Sequence, residues 1–352
     1  MMKYNDSKVC GIRALAVTMV GLAMLSGTGL NGDNSCKATS IQVNGHDITK
    51  DAGSNSYNLT PHALNGRTGF AKYSKFDLSN GDVANFIFRA YSSTSAGKVA
   101  EYTDIDTFVA AVQSGKVNID GIVNALSALP QGSTALANGG ANAGGAGSFA
   151  PNSHLIFVAP GGVVVGASGV LNVGQLSVYT PNNIDAISQG FDISAAERAA
   201  EGNYHDYTTT SLTVNDIPKT ISNSSHLENE GTIITSKGFT AAVGDYYNKS
   251  TGKIITGTGN TQAVSSTSDA SALFTRLVNT GNSTNTDGIK ITTQRDWQND
   301  GVMRVQGQGS IVGESLGVDK YSDNHHLNGT MDAASIDFTA GDGDNLFVKP
   351  RK

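Results

Sequence analysis

The sequence predicts an all-β fold, namely a right-handed parallel β-helix with short helical and glycine-rich insertions. Among its 352 residues, 42 are glycine and only 15% are charged, while small aliphatic residues remain plentiful. This composition is typical of many short strands joined by tight turns rather than of a disordered chain. Two further patterns, brief apolar runs separated by glycine and turns that recur about every twenty residues, predict how those strands are arranged.

The segment 154–182 holds the clearest strand pattern in the chain. Its apolar runs are short, rich in β-branched residues, and separated by glycine, which tolerates the tight backbone of corners. A β-sandwich, the alternative fold, would need longer strands of alternating polarity and hairpin turns. We therefore expect parallel strands whose backbone groups bond to the strands above and below, about 4.8 Å away. The runs are Leu155–Val158, Val163–Val165, Val170–Val173 and Leu176–Val178.

Beyond Tyr207 a loose repeat combines an Asn-Gly-like turn with two or more β-branched or apolar residues. Two of the spacings, Asn229 to Ser250 and Asn279 to Asn299, are close to twenty residues, a period typical of folds in which each repeat is one coil stacked on its neighbour. The longer spacing from Asn299 to Asn328 suggests an insertion. In such a coil the inward side chains form rows of Val, Ile and Leu. The copies begin at Asn229, Ser250, Asn279, Asn299 and Leu327.

Three insertions interrupt this pattern. A capping-box-like start at Thr103 and apolar residues at i, i+3, i+4 and i+7 predict a helix that ends at Gly115. A Ser-x-x-Glu box predicts a second short helix over 194–202. Between them, residues 130–151 are rich in Gly, Ala and Asn, offer little to bury, and are expected to form a flexible loop. The apolar residues of the first predicted helix are Ile105, Phe108, Val109 and Val112.

Residues 1–37 are interpreted as a signal peptide and leader. Three basic residues, Lys3, Lys8 and Arg13, precede the apolar run 14–25, and small residues follow it. This run is shorter than the ~20 residues that a membrane-spanning helix needs, so it predicts export rather than a membrane anchor.

Charge and cysteine content limit the classes of function. The net charge is −6 and basic residues are not clustered, which argues against binding to nucleic acid. Only Cys10 and Cys36 are present, and Cys10 lies in the predicted signal, so the mature chain cannot form an internal disulfide. A chain without crosslinks can cross a second membrane in extended form, although a fold large enough to need no disulfide accounts for the same observation.

Three ordered segments carry a recognisable motif: YSKFDLSNGDVANF (73–86), VNIDGIV (117–123) and LIFVAPGGVVVGASGVLNVG (155–174). Together they resemble the N-terminal secretion domain of two-partner-secretion exoproteins of the filamentous haemagglutinin type. The likeness covers roughly residues 41–183. The glycine-rich form of the third segment resembles the divergent subfamily of leukotoxin-type filamentous adhesins.

The resemblance implies a role in secretion. Domains of this family cross the inner membrane by a signal peptide, then meet an outer-membrane barrel transporter with periplasmic receptor modules and fold outside the cell. The chain departs from the family at its proline turn, where Ala159 and Gly161 replace two asparagines, and a second Asn-Pro-Asn motif is missing. By resemblance, the residues that contact the transporter are Asn118, Asp120, Gly121, Pro160, Gly161, Gly162, Gly166, Asn172 and Gly174.

These features together predict a secreted or surface-exposed protein of a Gram-negative-type bacterium. Residues 38–190 are expected to form the secretion domain, and residues 191–352 a β-helical passenger segment with an adhesive or scaffolding purpose. The expected partners are the barrel transporter and a ligand on a host or bacterial surface. The prediction includes no catalytic activity, no cofactor and no metal.

An enzymatic alternative is a secreted β-helix polysaccharide lyase or glycosidase. Such an enzyme uses paired carboxylates. The candidates are Asp82, Asp104, Asp106 and Asp120, although the sequence does not fix their separation.

A second enzymatic motif lies near the C-terminus. Residues 313–317 match the G-x-S-x-G of a nucleophile elbow, and Asp319, Asp323, His325 and His326 follow in the order that hydrolases use. The elbow needs a helix directly after its serine, whereas the following residues have no helical periodicity. A non-catalytic segment is therefore expected.

Three other features have similarly plain interpretations. Residues 340–348 resemble a single calcium-binding turn with Asp342 and Asp344 as ligands, but one copy cannot build a site shared between turns. The adjacent histidines at 325–326 point to opposite faces of a strand and are expected on the surface. The lone tryptophan, Trp297, is expected in the core or at a corner.

Overall fold

Parallel β-sheets make up most of this protein. The computed structural model describes residues 38–51, 53–93, 99–113, 115–130, 147–192, 207–280, 284–317, 323–341 and 344–348. Strands account for 48% of it and helices for 8%, so the expected all-β class is confirmed. The elements named below belong to one compact unit, Thr39–Lys352.

The strands form three large sheets. We call them sheet A, which has ten strands, sheet B, which has eight, and sheet C, which has ten. Sheet A contains, in spatial order, β2 (His46–Asp47), β1 (Ser40–Val43), β6 (Lys75–Leu78), β11 (Val117–Ile119), β14 (Val163–Val165), β18 (His226–Asn229), β21 (Asp245–Asn248), β24 (Trp297–Asn299), β27 (Asn324–Leu327) and β30 (Asn345–Val348). Sheet B contains β3 (Ser56–Leu59), β7 (Val83–Ile87), β12 (Ile122–Leu126), β15 (Val170–Val173), β19 (Thr232–Thr235), β22 (Lys253–Thr256), β25 (Val302–Val305) and β28 (Thr330–Asp332). Sheet C contains β17 (Thr208–Thr209), β4 (Ala63–Asn65), β5 (Thr68–Tyr73), β10 (Thr107–Val112), β13 (His154–Val158), β16 (Gln175–Tyr179), β20 (Phe239–Val243), β23 (Ile289–Thr293), β26 (Ser310–Ser315) and β29 (Ser335–Thr339).

A few elements lie outside these sheets. An antiparallel hairpin consists of β8 (Arg89–Ser93) and β9 (Val99–Asp104). The helices of the described residues are α1 (Asp185–Gln189), a single turn of 3₁₀ helix (Val214–Asp216) and α2 (Thr267–Thr280).

From β5 onward the chain enters the three sheets in one repeating order, C then A then B, interrupted by the β8–β9 hairpin and by β17, which returns to the edge of sheet C beside β4. We call one such passage a circuit; β10, β11 and β12 form one circuit, and β13, β14 and β15 form the next. Each strand pairs in parallel with the strand of the same sheet in the following circuit, as when Leu155 lies opposite Leu176. Within the described residues, antiparallel strand pairs are confined to β1–β2, β1–β6, β4–β5 and β8–β9. The parallel strands expected over 155–178 are therefore confirmed.

Rows of apolar side chains run across the circuits and form the core. Burying an aliphatic or phenyl side chain contributes roughly 1.5–3 kcal/mol, so each row stabilises the contact between all the circuits it crosses. One row of sheet C, in which every side chain is at most 1% exposed, consists of Phe108, Leu155, Leu176, Phe239, Ile289 and Ile311. A cluster of aromatic rings, with centroids 5.1–6.0 Å apart, fills the core of the first circuits; its members are Phe76, Phe86, Phe108 and Phe157.

Glycines occupy the corner between sheets A and B because successive circuits approach closely there. The backbone N–H of Thr232 donates to the carbonyl oxygen of Gly169 at 2.9 Å, one circuit earlier. A Cβ atom on Gly231 would overlap that same oxygen. The glycine-containing turns that precede β19, β22, β25 and β28 thus have a steric cause, and they confirm four of the five repeat copies.

The helix expected from Thr103 to Gly115 is wrong. Residues 99–104 and 107–112 are strands β9 and β10, and Phe108 lies in parallel register with Leu155. Both faces of β10 are buried, so its apolar residues need not alternate with polar ones. A continuous apolar run also places apolar residues at i, i+3, i+4 and i+7, so the sequence pattern fits a helix as well as a strand.

The repeat copy at Asn279 is also wrong, because Asn279 lies near the end of α2 rather than at a corner. Some predictions fall outside the described residues. These are the signal and leader 1–37, the helix over 194–202 and most of the loop 130–151.

Helix α2 covers part of the outer face of sheet B. Its residues Ala270, Leu273 and Leu277 are buried, at the i, i+3, i+7 spacing of one helical face. They form a second apolar cluster with side chains from five strands of sheet B, namely Val83, Ile122, Val170, Ile234 and Ile255.

Replacing Gly231 with alanine is expected to lower the free energy of unfolding by about 1–3 kcal/mol, because the added methyl group overlaps the carbonyl oxygen of Gly169. Gly238→Ala is the matched control, since the closest neighbour of its added carbon, the Gly288 oxygen, lies 3.1 Å away. Urea titrations followed by circular dichroism measure both. Equal losses in the two variants would contradict the close approach inferred for this corner.

Candidate functional site

The residues assigned to transporter contact lie at the corners of two consecutive circuits. Asp120 and Gly121 turn the chain from β11 into β12, and Gly166 lies at the equivalent corner after β14. The structure brings these residues together, because a Cβ atom on Gly166 would overlap the Asp120 carboxylate. Ser168 donates its hydroxyl to the Asp120 carbonyl at 2.8 Å, and the Val170 N–H donates to the Gly121 carbonyl at 2.9 Å.

The proline turn forms a different corner, between β13 and β14. The N–H of Gly162 donates to the Ala159 carbonyl at 2.9 Å, and Gly162 has a φ of +96°, which favours glycine. A Cβ atom on Gly161 would overlap the carbonyl oxygen of Gly115 in the previous circuit. An asparagine side chain, which the motif that this segment resembles has at the equivalent position, therefore has no room at 161.

Asn172 belongs to a ladder of buried amides on the outer face of sheet B. Its Nδ2 donates to Asn124 Oδ1 at 3.1 Å and to the Gln262 carbonyl at 2.9 Å. Its Oδ1 accepts from Asn260 Nδ2 at 2.9 Å. The segment 260–264, which leads towards α2, therefore lies against the ladder and satisfies it.

The ladder continues through earlier circuits. Asn124 Nδ2 donates to Asn85 Oδ1 at 3.4 Å, and Asn85 Nδ2 donates to Asn58 Oδ1 at 3.1 Å. The first member, Asn58, donates to Asp51 at 3.2 Å. Sequence reasoning missed this feature, although each of these asparagines lies in a short apolar run, and the strand registers place Asn58, Asn85, Asn124 and Asn172 opposite one another.

Few of the assigned residues expose a side chain in the folded protein. Asp120 is exposed, and Asn118, which donates its amide to Asp77 at 2.6 Å, is half-buried. Three others, Pro160, Gly161 and Gly166, are also half-buried; the buried ones are Gly121, Gly162, Asn172 and Gly174. In the folded state most of the motif therefore shapes corners and offers little side-chain surface to a partner.

The G-x-S-x-G match does not form a nucleophile elbow. Ser315 ends strand β26, and its hydroxyl oxygen lies 3.1 Å from the Arg295 carbonyl oxygen and 3.3 Å from an Asp344 carboxylate oxygen, two acceptors that compete for its single proton. His325 Nε2 lies 3.0 Å from the same carboxylate oxygen, and its Nδ1 accepts the Trp297 N–H at 3.2 Å. A hydrolase needs the imidazole to contact the serine, whereas here the carboxylate lies between them.

These contacts correct one expectation and confirm another. His325 is fully buried rather than on the surface, because it packs inside and bonds to Asp344, while the half-buried His326 stacks on Phe347 at 4.9 Å. Trp297 is 1% exposed and lies in the core, as expected. Asp319, the nearest acid after the serine, falls outside the described residues.

The carboxylate of Asp344 is occupied by protein donors. Besides Ser315 and His325, the N–H groups of Gly341 and Asp323 donate to it at 2.8 and 3.3 Å. Asp342, the other acid of the calcium-like turn, is outside the described residues. Among the residues that the structure does describe, no group of three or more His, Cys, Asp or Glu side chains could hold a metal ion.

Two of the candidate catalytic carboxylates line one cleft of about 340 Å³. Asp104 pairs there with Arg89 at 2.7 Å, and Asp106 pairs with Arg67. The hydrogen bond from Arg67 lowers the pKa of Asp106, whereas the general acid of a glycosidase needs a raised pKa. A third candidate, Asp82, pairs with a different cation, Lys50, at 2.6 Å.

Comparison with known proteins gives no assignment. No model of a known protein family matches the chain, and a search of curated proteins finds no match either. In the described parts of the chain, none of the helices combines the length and the apolar character needed to cross a membrane.

Replacing Asn172 with alanine is expected to lower the free energy of unfolding by about 1–3 kcal/mol, because Asn124, Asn260 and Gln262 each lose a buried hydrogen-bond partner. The control is Asn152→Ala, which truncates an exposed asparagine on a turn. Chemical denaturation gives both values. If Asn172→Ala were as stable as the control, the ladder would have no stabilising role.

Stability at acid pH is expected to depend on Asp344. Burial opposes its ionisation, but hydrogen bonds from His325, Gly341 and Asp323 outweigh burial and lower its pKa below the ordinary 3.8. A carboxyl group with a lowered folded pKa stabilises the fold above its unfolded pKa, and this contribution is lost as pH falls through the folded value. Between about pH 5 and pH 2, the unfolding midpoint should therefore fall more steeply in the wild type than in Asp344→Asn. Parallel slopes would show that the network does not favour the carboxylate.

Proposed function

We propose that this protein is an exported, non-enzymatic, adhesin-like protein whose residues 38–190 direct secretion through an outer-membrane barrel partner. The observation that carries the proposal is the position of the motif residues. Most of them lie at consecutive corners of parallel sheets, and once the chain has folded only Asp120 among the nine is exposed, four being buried and four half-buried. A partner that recognises this motif therefore meets it before folding, as transport of an extended chain requires.

The architecture that suits this role is a right-handed parallel β-helix. The repeating order of sheets C, A and B and the parallel pairing of each strand with the next circuit support it. Connections between parallel strands of one sheet are right-handed in about 98% of cases, which favours that hand.

Folding outside the cell would follow from the same geometry. Each circuit bonds its backbone to the previous one, so a folded circuit provides the edge on which the next can form. The motif circuits come early in the chain and contain the densest aromatic packing. We infer that they nucleate folding and that each added circuit opposes return of the chain through the transporter.

Residues 191–352 would then form the passenger. Strands β18 to β30 extend sheets A, B and C. The first of them, β18, β19 and β20, pair in parallel with β14, β15 and β16. Such a segment displays the outer faces of its sheets to the surroundings. We propose a surface on a host or bacterial cell as its target.

Secretion is the test of this proposal. Pro160→Ala combined with Gly162→Ala is expected to abolish the protein in the culture medium and to leave it detectable in the periplasm, because the turn recognised by the transporter is lost. Immunoblots of both fractions, from the bacterium that makes the protein, give the measurement. Normal secretion of the double variant would contradict the assignment.

A variant at a corner outside the motif distinguishes a loss of recognition by the transporter from a loss of fold stability. Gly231→Ala introduces a comparable steric overlap at a corner of a later circuit. If the motif is recognised in the extended chain, this variant reaches the medium even though its fold is less stable. Equal loss of both variants would mean that secretion responds to fold stability and not to the motif.

A further inference from the structure

A cavity of about 560 Å³ lies between the outer face of sheet C and the chain that crosses it at residues 214–219. Its walls are mainly apolar, with Ile156, Tyr179 and Ala242 from the sheet and Ile217 and Pro218 from the crossing chain. The volume is within the roughly 300–1,000 Å³ typical of small-molecule sites. The cavity lies apart from the motif corners and plays no part in the proposed secretion role.

Side-chain size in the sheet explains why space remains here. Tyr179 of β16 lies directly opposite Ala242 of β20, so the large ring is followed in the next circuit by a single methyl group. The crossing chain does not fill the gap, because Val214–Asp216 forms a turn of 3₁₀ helix with its own cap. The cap is Thr213, whose hydroxyl accepts the Asn215 N–H at 3.2 Å.

Both ends of the crossing chain are fixed, so the cavity is part of the fold. On one side, the amide of Asn65 donates to the Leu212 carbonyl at 2.8 Å, and Leu212 is buried. On the other side, the Asn182 N–H donates to the Thr220 carbonyl at 3.2 Å. The chain between these two anchors forms one wall.

The polar groups of the cavity are few and carry positive or no charge. Lys219 lies at its edge, and within the described part of the chain its ammonium group has no ion-pair partner. His154 bonds to Ser177 at 2.8 Å, and burial together with the charge of Lys237 lowers its pKa to about 4. The imidazole is therefore neutral at physiological pH, and Lys219 supplies the charge on the cavity's lining.

Two carboxylates that adjoin lining residues in the sequence form hydrogen bonds with other groups. Asp216 accepts hydrogen bonds from the N–H and hydroxyl of Thr213 at 2.7 and 2.8 Å. Asp106 forms a two-point ion pair with Arg67. Neither carboxylate lines the cavity, so among the described residues that form its walls Lys219 is the one charged side chain.

We propose that this cavity binds an amphipathic organic carboxylate, with its apolar body between Ile156 and Ala242 and its carboxylate at Lys219. An apolar wall with one cationic group at its edge matches that chemistry. A neutral ligand of the same shape gains only the apolar contact, and a cation is repelled.

Calorimetric titration of the mature chain with naphthoate, naphthylmethanol and naphthylmethylammonium tests the proposal. Naphthoate should bind about tenfold more tightly than the alcohol, as expected for one hydrogen bond to a charged group, and the ammonium compound most weakly. Lys219→Met should remove the advantage of naphthoate and leave the affinity of the alcohol unchanged. Ala242→Leu, which narrows the cavity from a strand position, should weaken the alcohol and the carboxylate alike.

Lys290→Met is the matched control, because Lys290 is an exposed lysine on the same sheet that does not line the cavity. It should leave the affinity for naphthoate unchanged, and thermal unfolding should confirm that all three variants are folded. Three results would overturn the proposal: no binding of naphthoate, equal affinity for the three probes, or unchanged binding in Ala242→Leu. Because the assay does not involve export, its outcome is independent of the secretion experiment.

Discussion

Hydrogen bonds between successive circuits are the constraint on which the rest of this structure depends. Each strand of sheets A, B and C uses its backbone groups on the strands before and after it, so the position of one circuit fixes the next. This spacing brings corners so close that a side chain at Gly121 or Gly231 would overlap the carbonyl oxygens of the previous circuit. It also aligns apolar side chains in rows, which makes the core continuous along the chain.

The same spacing between circuits lets buried asparagine side chains hydrogen-bond to one another in ladders. On sheet B the ladder begins at Asp51 and is closed by the segment 260–264, so the described members all have partners. A shorter ladder in sheet A, Asn229–Asn248–Asn299, has no such cover. It ends where the register places Val165 and Leu327 opposite its outer members. There the Asn229 Oδ1 and Asn299 Nδ2 atoms are buried and have no hydrogen-bond partner among the residues that the structure describes.

The sequence allowed the all-β class, the parallel strands over 155–178 and much of the strand pattern to be predicted, because glycine corners and short apolar runs are local signals. It misidentified Thr107–Val112, whose two buried faces give a spacing that also fits a helix. It placed a corner at Asn279, where the same residue types end a helix. Side-chain contacts between residues far apart in the sequence could not be predicted from local patterns. Two hydrogen-bond partners of Asn172 lie 48 and 88 residues away in the sequence, and His325 and Asp344 are 19 residues apart.

Three of the four long additions to the repeating pattern leave it at the same edge, while the fourth, residues 180–225, follows a strand of sheet C. The hairpin β8–β9, the segment 127–153 and the segment with α2 all leave the chain between a strand of sheet B and the following strand of sheet C. The strands on either side are held by their neighbours, so added length costs only the slowly growing entropy of a longer loop. This edge is accordingly where the scaffold can accept and display new peptide, and where a tag or an epitope can be grafted without shifting the strands around it.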